Sequence, residues 1–296
     1  MNNIEIGNVG YLTNKLISYY ELLKPRLSFL VSFSAAFGFL LGAEGTPDLF
    51  LLMMLGLGSF LISGAAVTIN QIIERNLDAL MKRTSGRPIP TSKINHIEAS
   101  IYSFLLFIIG IIIVAYYTNF YAAVLAIFSL MIYAFAYTPL KRIGPIAVFV
   151  GAIPGALPPL IGWVAATGVL TYEAWIIFGI QFIWQFPHFW AIAWVSDDDY
   201  KKAGFKLLPG DGKKDLNTAI NIMIYTLFLL PLGLLPTYFG LTGLNSGIIA
   251  TCFGVLFLAQ TFQLMKDNSH KSALRIMFGS FIYLPIVQIS YLFDKL

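Results

Sequence analysis

The sequence predicts an all-α integral membrane protein with nine transmembrane helices, and three observations lead there. Apolar runs of membrane-spanning length recur from Leu27 to the C-terminus. The chain is 57% hydrophobic and only 11% charged, against roughly 25% charged in a soluble domain. Lys and Arg fall in every second loop between the runs, the mark of a chain threaded back and forth across a bilayer.

The spans are expected at 27–43, 49–71, 97–116, 120–138, 145–166, 172–195, 217–238, 246–264 and 274–293. Turn chemistry separates them: Glu44-Gly45-Thr46-Pro47-Asp48, Pro139-Leu140-Lys141-Arg142, Gly240-Leu241-Thr242-Gly243 and the polar segment from Asp197 to Asp215. Membrane β-strands are excluded because the runs lack alternating polar residues. Nothing is left over for a separate soluble domain, so residues 1–296 are expected to form one transmembrane domain. Residues 1–26 form a cytoplasmic N-terminal segment in that scheme, carrying Lys15, Glu21, Lys24 and Arg26 and no early apolar core. The segment does not read as a cleaved signal peptide, and its part from Lys15 to Arg26 suits an interfacial helix.

Basic residues near span ends stay in the cytoplasm. Lys15, Lys24 and Arg26 precede the first span. Lys82, Arg83, Arg87 and Lys93 follow the second, Lys141 and Arg142 the fourth, Lys201 to Lys214 the sixth, and Lys266 and Lys271 the eighth. The N-terminus is therefore expected in the cytoplasm of a bacterial-type inner membrane and the C-terminus on the opposite side. The net charge of +4 is scattered over loops, which argues against nucleic acid. The single cysteine, Cys252, lies in an apolar run and reads as a small core residue, excluding a disulfide framework or a Cys metal cluster.

Acidic residues are scarce enough here to be informative, and two groups stand at the basic end of the bundle. Asn70, Glu74 and Asp78 are spaced by four at the end of the second span, which aligns three oxygen-bearing side chains on one helix face. Such a stripe suits Mg²⁺, a hard cation held by one or two carboxylates together with substrate phosphates. The second group, Asp197-Asp198-Asp199, follows the sixth span. Two acidic clusters on one side, with Arg83, Arg87 and neighbouring lysines to meet phosphate charge, describe a diphosphate site. Taken alone, the triple Asp reads more readily as a solvated turn. His188 lies beside Pro187 in the sixth span, where an ionisable group is costly. It reads either as a contact for a bound group or as a hydrogen bond to another helix.

The stripe Asn70-x-x-x-Glu74-x-x-x-Asp78 resembles the first motif of the UbiA superfamily of intramembrane prenyltransferases, with Glu74 in place of the usual Asp. Within the superfamily the chain is most similar to the haem O synthases. That likeness rests on Asp78-x-x-Met81-x-Arg83-Thr84-x-x-Arg87-Pro88, Asp199-Tyr200-x-x-Ala203-Gly204-x-x-x-Leu208-Pro209 and Lys24-Pro25-Arg26. It extends to Tyr137-Thr138-Pro139-Leu140-Lys141-Arg142, Gly155-Ala156-x-Pro158-Pro159-x-Ile161-Gly162 and Trp184-Gln185-x-Pro187-His188-Phe189, and so spans nearly the whole chain. Many members carry a second Asp four residues before the one matched by Asp199; here that position is Val195.

The resemblance implies transfer of a farnesyl group from farnesyl diphosphate to a vinyl group of haem B, with addition of water, giving haem O for terminal oxidase assembly. It implies nine transmembrane helices around a central intramembrane cavity, and Mg²⁺ on Asn70, Glu74, Asp78 and Asp199, with Asp198 or Asp197 as a further oxygen. Diphosphate contacts fall to Arg83, Arg87 and Lys202, then Lys24 and Arg26, and haem contacts to His188 and Trp184. A related prenyltransferase acting on a quinone precursor or other aromatic acceptor is the alternative, since it would keep the acidic stripe. The implied partners are the two substrates and the lipid bilayer. No protein partner is legible, a haem O-modifying enzyme being the chemically consistent candidate.

Overall fold

The computed structural model describes residues 13–296, so part of the N-terminal segment, residues 1–12, lies outside the described residues. Among the described residues nine helices are long and apolar enough to cross a membrane, each within a few residues of its expected place. The chain is a multi-pass integral membrane protein.

A first helix, α1, covers residues 13–22. The spans follow as α2 (Pro25–Gly42), α3 (Leu49–Ile73), α5 (His96–Tyr117), α6 (Phe120–Met131), α8 (Ile146–Thr167), α9 (Tyr172–Val195), α11 (Leu216–Tyr238), α12 (Leu244–Asp267) and α13 (His270–Phe293). Short helices α4 (Arg75–Asp78), α7 (Thr138–Leu140) and α10 (Asp197–Lys202) sit at the ends of α3, α6 and α9. Side-chain caps begin several spans. Asp48 accepts from the backbone N–H groups of Phe50 and Leu51, Asn95 from that of Glu98, Asn119 from that of Ala122 and Asp215 from that of Thr218. These caps satisfy donors that a helix start leaves open.

Helices α2, α3, α5, α6 and α8 pack as one group and α9, α11, α12 and α13 as another. The groups join where α9 lies along α8 and where α13 touches α2. Backbone contact replaces side-chain packing between α2 and α8. A Cβ on Gly38 would stand 1.8 Å from the Pro159 carbonyl oxygen, and one on Gly162 would stand 1.9 Å from that of Ala35. Small residues allow such approaches where no hydrophobic force drives helices together. The outer surface is apolar, with Phe104, Tyr116, Phe128 and Ile282 exposed, as lipid contact requires. Cys252 belongs to that outer surface and not to the core, a correction to the sequence reading: its position in an apolar run does not say which face of α12 it occupies.

One departure from regular helix bears on function. After Met131 the chain widens into a π-helical segment, Ile132–Tyr137, before α7. The wider turn resets the helix phase, and such segments are frequent at functional sites.

Candidate active site at the basic end of the bundle

The stripe from Asn70 to Asp78 survives, but not as one straight helix. Helix α3 ends at Ile73, Glu74 adopts φ −90° and ψ 4°, and α4 continues to Asp78. The i to i+4 backbone bonds from the N–H of Glu74 to the Asn70 carbonyl and from that of Asp78 to the Glu74 carbonyl persist through the break. The three side chains therefore stay together and are buried, with exposures of 2%, 3% and 0%.

Burying two carboxylates is costly unless cations meet them. Lys141 Nζ lies 2.8 Å from Glu74 Oε1 and donates to Oε2 at 3.1 Å, while Arg87 Nη1 stands 2.6 Å from Asp78 Oδ2. The π-helical segment makes the first pair possible by turning Thr138 and Lys141 toward α3. Thr138 Oγ1 accepts from Asn70 Nδ2 at 3.1 Å and donates to the Tyr133 carbonyl. That leaves the Asn70 amide oxygen as the acceptor beside Glu74. The Lys141 ammonium also sits 4.7 Å from the centre of the Tyr137 ring and 5.9 Å from that of Phe205, cation–π contacts from the inner wall and from the second polar loop.

Lys24 joins the group from the turn between α1 and α2. Burial pushes its ammonium down to about 7, helped by the nearby charges of Arg87 and Lys141 and opposed by Asp78 and Glu74. Three cations thus surround two carboxylates. An excess of buried positive charge beside oxygen ligands is the electrostatic requirement of a metal–diphosphate site. One atom tests the fit: Asp78 Oδ1 is buried and has no hydrogen-bond partner. Such a carboxylate oxygen is satisfied by a cation. Among the described residues no group of three or more His, Cys, Asp or Glu side chains converges as a ready-made metal centre.

The Asp197–Asp199 loop is built differently. Asp199 accepts from the backbone N–H of Lys82 at 3.3 Å, from that of Arg83 at 3.0 Å and from Lys202 Nζ at 2.9 Å. The Lys202 contact first, then the Arg83 N–H, hold its carboxyl below the usual range. Both of its oxygens are engaged in clasping one polar loop to the other. Asp197 is buried against Lys201 and Lys214. Asp198 points away, its side chain 89% exposed, so its expected place among the metal ligands is corrected: the first turn of α10 directs successive residues to different sides.

Of the expected diphosphate contacts, the structure brings Lys24 and Arg87 to the buried cluster. Arg83 lies instead over the ring of Tyr200 at 5.8 Å, Lys202 is spent on Asp199 at the surface, and Arg26 is exposed. Lys141 and Tyr137 are central residues that sequence reasoning did not place in the site. Their signal was the run Tyr137 to Arg142, noted only as part of a resemblance. His188 makes a 2.8 Å hydrogen bond from Nδ1 to Ser280 Oγ on α13 and stacks on Trp184 at 4.5 Å, while Trp184 Nε1 donates to the Ser280 carbonyl. The bond to another helix, one of its two readings, is present.

Comparison with known proteins agrees with this architecture. Residues 31–284 match the UbiA prenyltransferase family. A protein of Cytophaga hutchinsonii named protoheme IX farnesyltransferase is 51% identical over 285 residues, covering 96% of this chain and 100% of its own length. Among solved structures, a digeranylgeranylglyceryl phosphate synthase aligns with a TM-score of 0.79 at 21% identity, over 95% of this chain and 98% of its own. A UbiA homologue from Archaeoglobus fulgidus bound to GPP and Mg²⁺ aligns at 0.65 and 18% identity, over 93% and 99%. A match over most of the spans, a relative alike along its full length and a shared helical fold leave one conclusion: this chain belongs to the UbiA prenyltransferase family.

Proposed function

We propose that the protein transfers the farnesyl group of farnesyl diphosphate to a vinyl group of haem B, with addition of water, giving haem O. The observation that carries the acceptor is the 51% identity, along the full length, to the relative named protoheme IX farnesyltransferase. The donor is supported by the buried cluster of Glu74 and Asp78 ringed by Lys24, Arg87 and Lys141.

Asn70, Glu74 and Asp78 are the residues to hold Mg²⁺, which when bound neutralises part of the diphosphate charge. Asp199 joins that set only by giving up hydrogen bonds it already makes. As the allylic C–O bond breaks, its electron pair leaves with the diphosphate. Arg87, Lys141 and Lys24 meet the charge that grows there, Arg87 and Lys141 turning to it from the carboxylates they pair with. The allylic carbon bonds the terminal vinyl carbon of haem. Water then adds to the cation beside the porphyrin and releases one proton. Tyr137 and Phe189, with ring centres 6.5 Å apart just inward of Lys141, present apolar faces that exclude water and suit a passing carbocation. His188 and Trp184 are assigned to the haem side. The basic end faces the cytoplasm of the bacterial inner membrane, so the N-terminus is cytoplasmic and the C-terminus opposite.

The test is expression of the chain in cells lacking their own haem O synthase, followed by mass spectrometry of extracted haems. Haem O is the expected product. Haem B alone from a well-expressed protein would overturn the acceptor and favour a quinone precursor or other aromatic ring.

A further inference from the structure

Lys24 is the one member of the cationic cluster that reaches it through a strained backbone. Its φ of 43° and ψ of 63° lie in the left-handed region, which a lysine enters at a cost. Helix α1 ends there and α2 begins at Pro25, so the turn decides where Lys24 projects. Strain of this kind persists only when neighbours over-determine it.

The neighbours are identifiable. Leu22 is fully buried with Ile89 and Ile94 of the loop that also carries Arg87. Its carbonyl, one of those a helix end leaves open, accepts from Gln71 Nε2 at 2.9 Å. The second hydrogen of that amide goes to the Val67 carbonyl at 3.1 Å, and Gln71 is 1% exposed. Two carbonyl acceptors fix which end of the amide faces them. Thr68 also approaches the Leu22 carbonyl, at 3.3 Å, but its one hydroxyl hydrogen has a shorter acceptor, the Gly64 carbonyl at 2.7 Å. The grip on the Leu22 carbonyl is therefore Gln71's, while Ser28 Oγ holds the next carbonyl, that of Leu23, at 2.8 Å. Gln71 adjoins Asn70, so one turn of α3 presents the proposed metal ligand on one side and fixes the Lys24 turn on the other.

We propose that Gln71 is a positioning residue: by holding the Leu22 carbonyl it imposes the left-handed turn that aims Lys24 at the Glu74–Asp78–Arg87–Lys141 cluster, so that α1 forms one wall of the diphosphate site. This rests on the proposed diphosphate site, and Gln71 itself touches no substrate.

The test is equilibrium binding of farnesyl diphosphate with Mg²⁺, in the absence of haem, to the full chain in detergent, with thermal unfolding followed in parallel. Gln71→Leu is expected to weaken binding about tenfold, and to weaken it no further in a Lys24→Met background, because both changes remove one charge-assisted contact. Wild-type-like binding by Gln71→Leu, or losses that multiply in the double variant, would overturn the proposal. Lys24→Gly keeps the case decidable should Gln71→Leu not fold. Glycine relieves the strained turn, so unfolding at an equal or higher temperature with weakened binding is expected, and unchanged binding would count against the assignment. If the intact chain binds no farnesyl diphosphate, the failure lies with the site's function and not with Gln71.

Discussion

Glu74 and Asp78 close the end of α3, and Asp197 to Asp199 open α10 at the same end of the bundle, yet the two acidic segments are built in opposite ways. The first pair is buried, faces three cations and leaves Asp78 Oδ1 without a partner. In the second trio Asp199 is spent on hydrogen bonds, Asp197 is buried with its Oδ2 in ion pairs to Lys201 and Lys214, and Asp198 stands in solvent. Carboxylates at matching positions thus divide into a buried pair met by cations, which we propose as the metal site, and a clasp that ties one polar loop to the other. The unpartnered oxygen makes the difference, since Asp78 Oδ1 has neither a hydrogen bond nor an ion pair to offset its burial.

The sharpest way to break this comparison is at Asp78. Asp78→Asn should lower kcat/KM for haem O formation by about a hundred- to a thousand-fold, as loss of a central electrostatic group does. Next comes Lys141→Met, which leaves Glu74 buried and unpaired. It should destabilise the protein by about 3–5 kcal/mol. The double variant Glu74→Gln, Lys141→Met should recover most of that stability in thermal unfolding but no activity.

Lys24 supplies a pH test. Its ammonium, held down to about 7, is charged below that value and neutral above it. An anionic donor binds the charged form, so affinity should fall as pH rises above about 7, by up to about tenfold per pH unit. Lys24→Arg, charged throughout, should flatten the dependence. Asp199→Asn, which loosens the clasp but spares the buried cluster, should cost about tenfold in kcat/KM. Asp198→Asn should change it by less than about twofold, as expected of an exposed side chain.

The spans, their order and the gathering of Asn70, Glu74 and Asp78 at the end of α3 were legible in the sequence because long apolar runs have no other stable use and spacing by four aligns side chains on one helix face. The role of Lys141 was not. It depends on the π-helical segment Ile132–Tyr137, and Ile-Tyr-Ala-Phe-Ala-Tyr has nothing in its composition to distinguish it from the α-helix before it. Nor could spacing tell that Asp199 would meet the backbone of Lys82 and Arg83, residues more than a hundred positions away. Exposure of Asp198 and Cys252 was hidden for a simpler reason: sequence gives the periodicity of a helix but not which face its neighbours cover.

The most direct measurement is Mg²⁺-dependent binding of a non-hydrolysable farnesyl diphosphate analogue to the intact chain, to Asp78→Asn and to Asp199→Asn. Binding that disappears with Asp78→Asn and is only weakened with Asp199→Asn would place the metal–diphosphate site at the end of α3. Binding that survives Asp78→Asn and disappears with Asp199→Asn would reverse the roles of the two acidic segments and contradict the account.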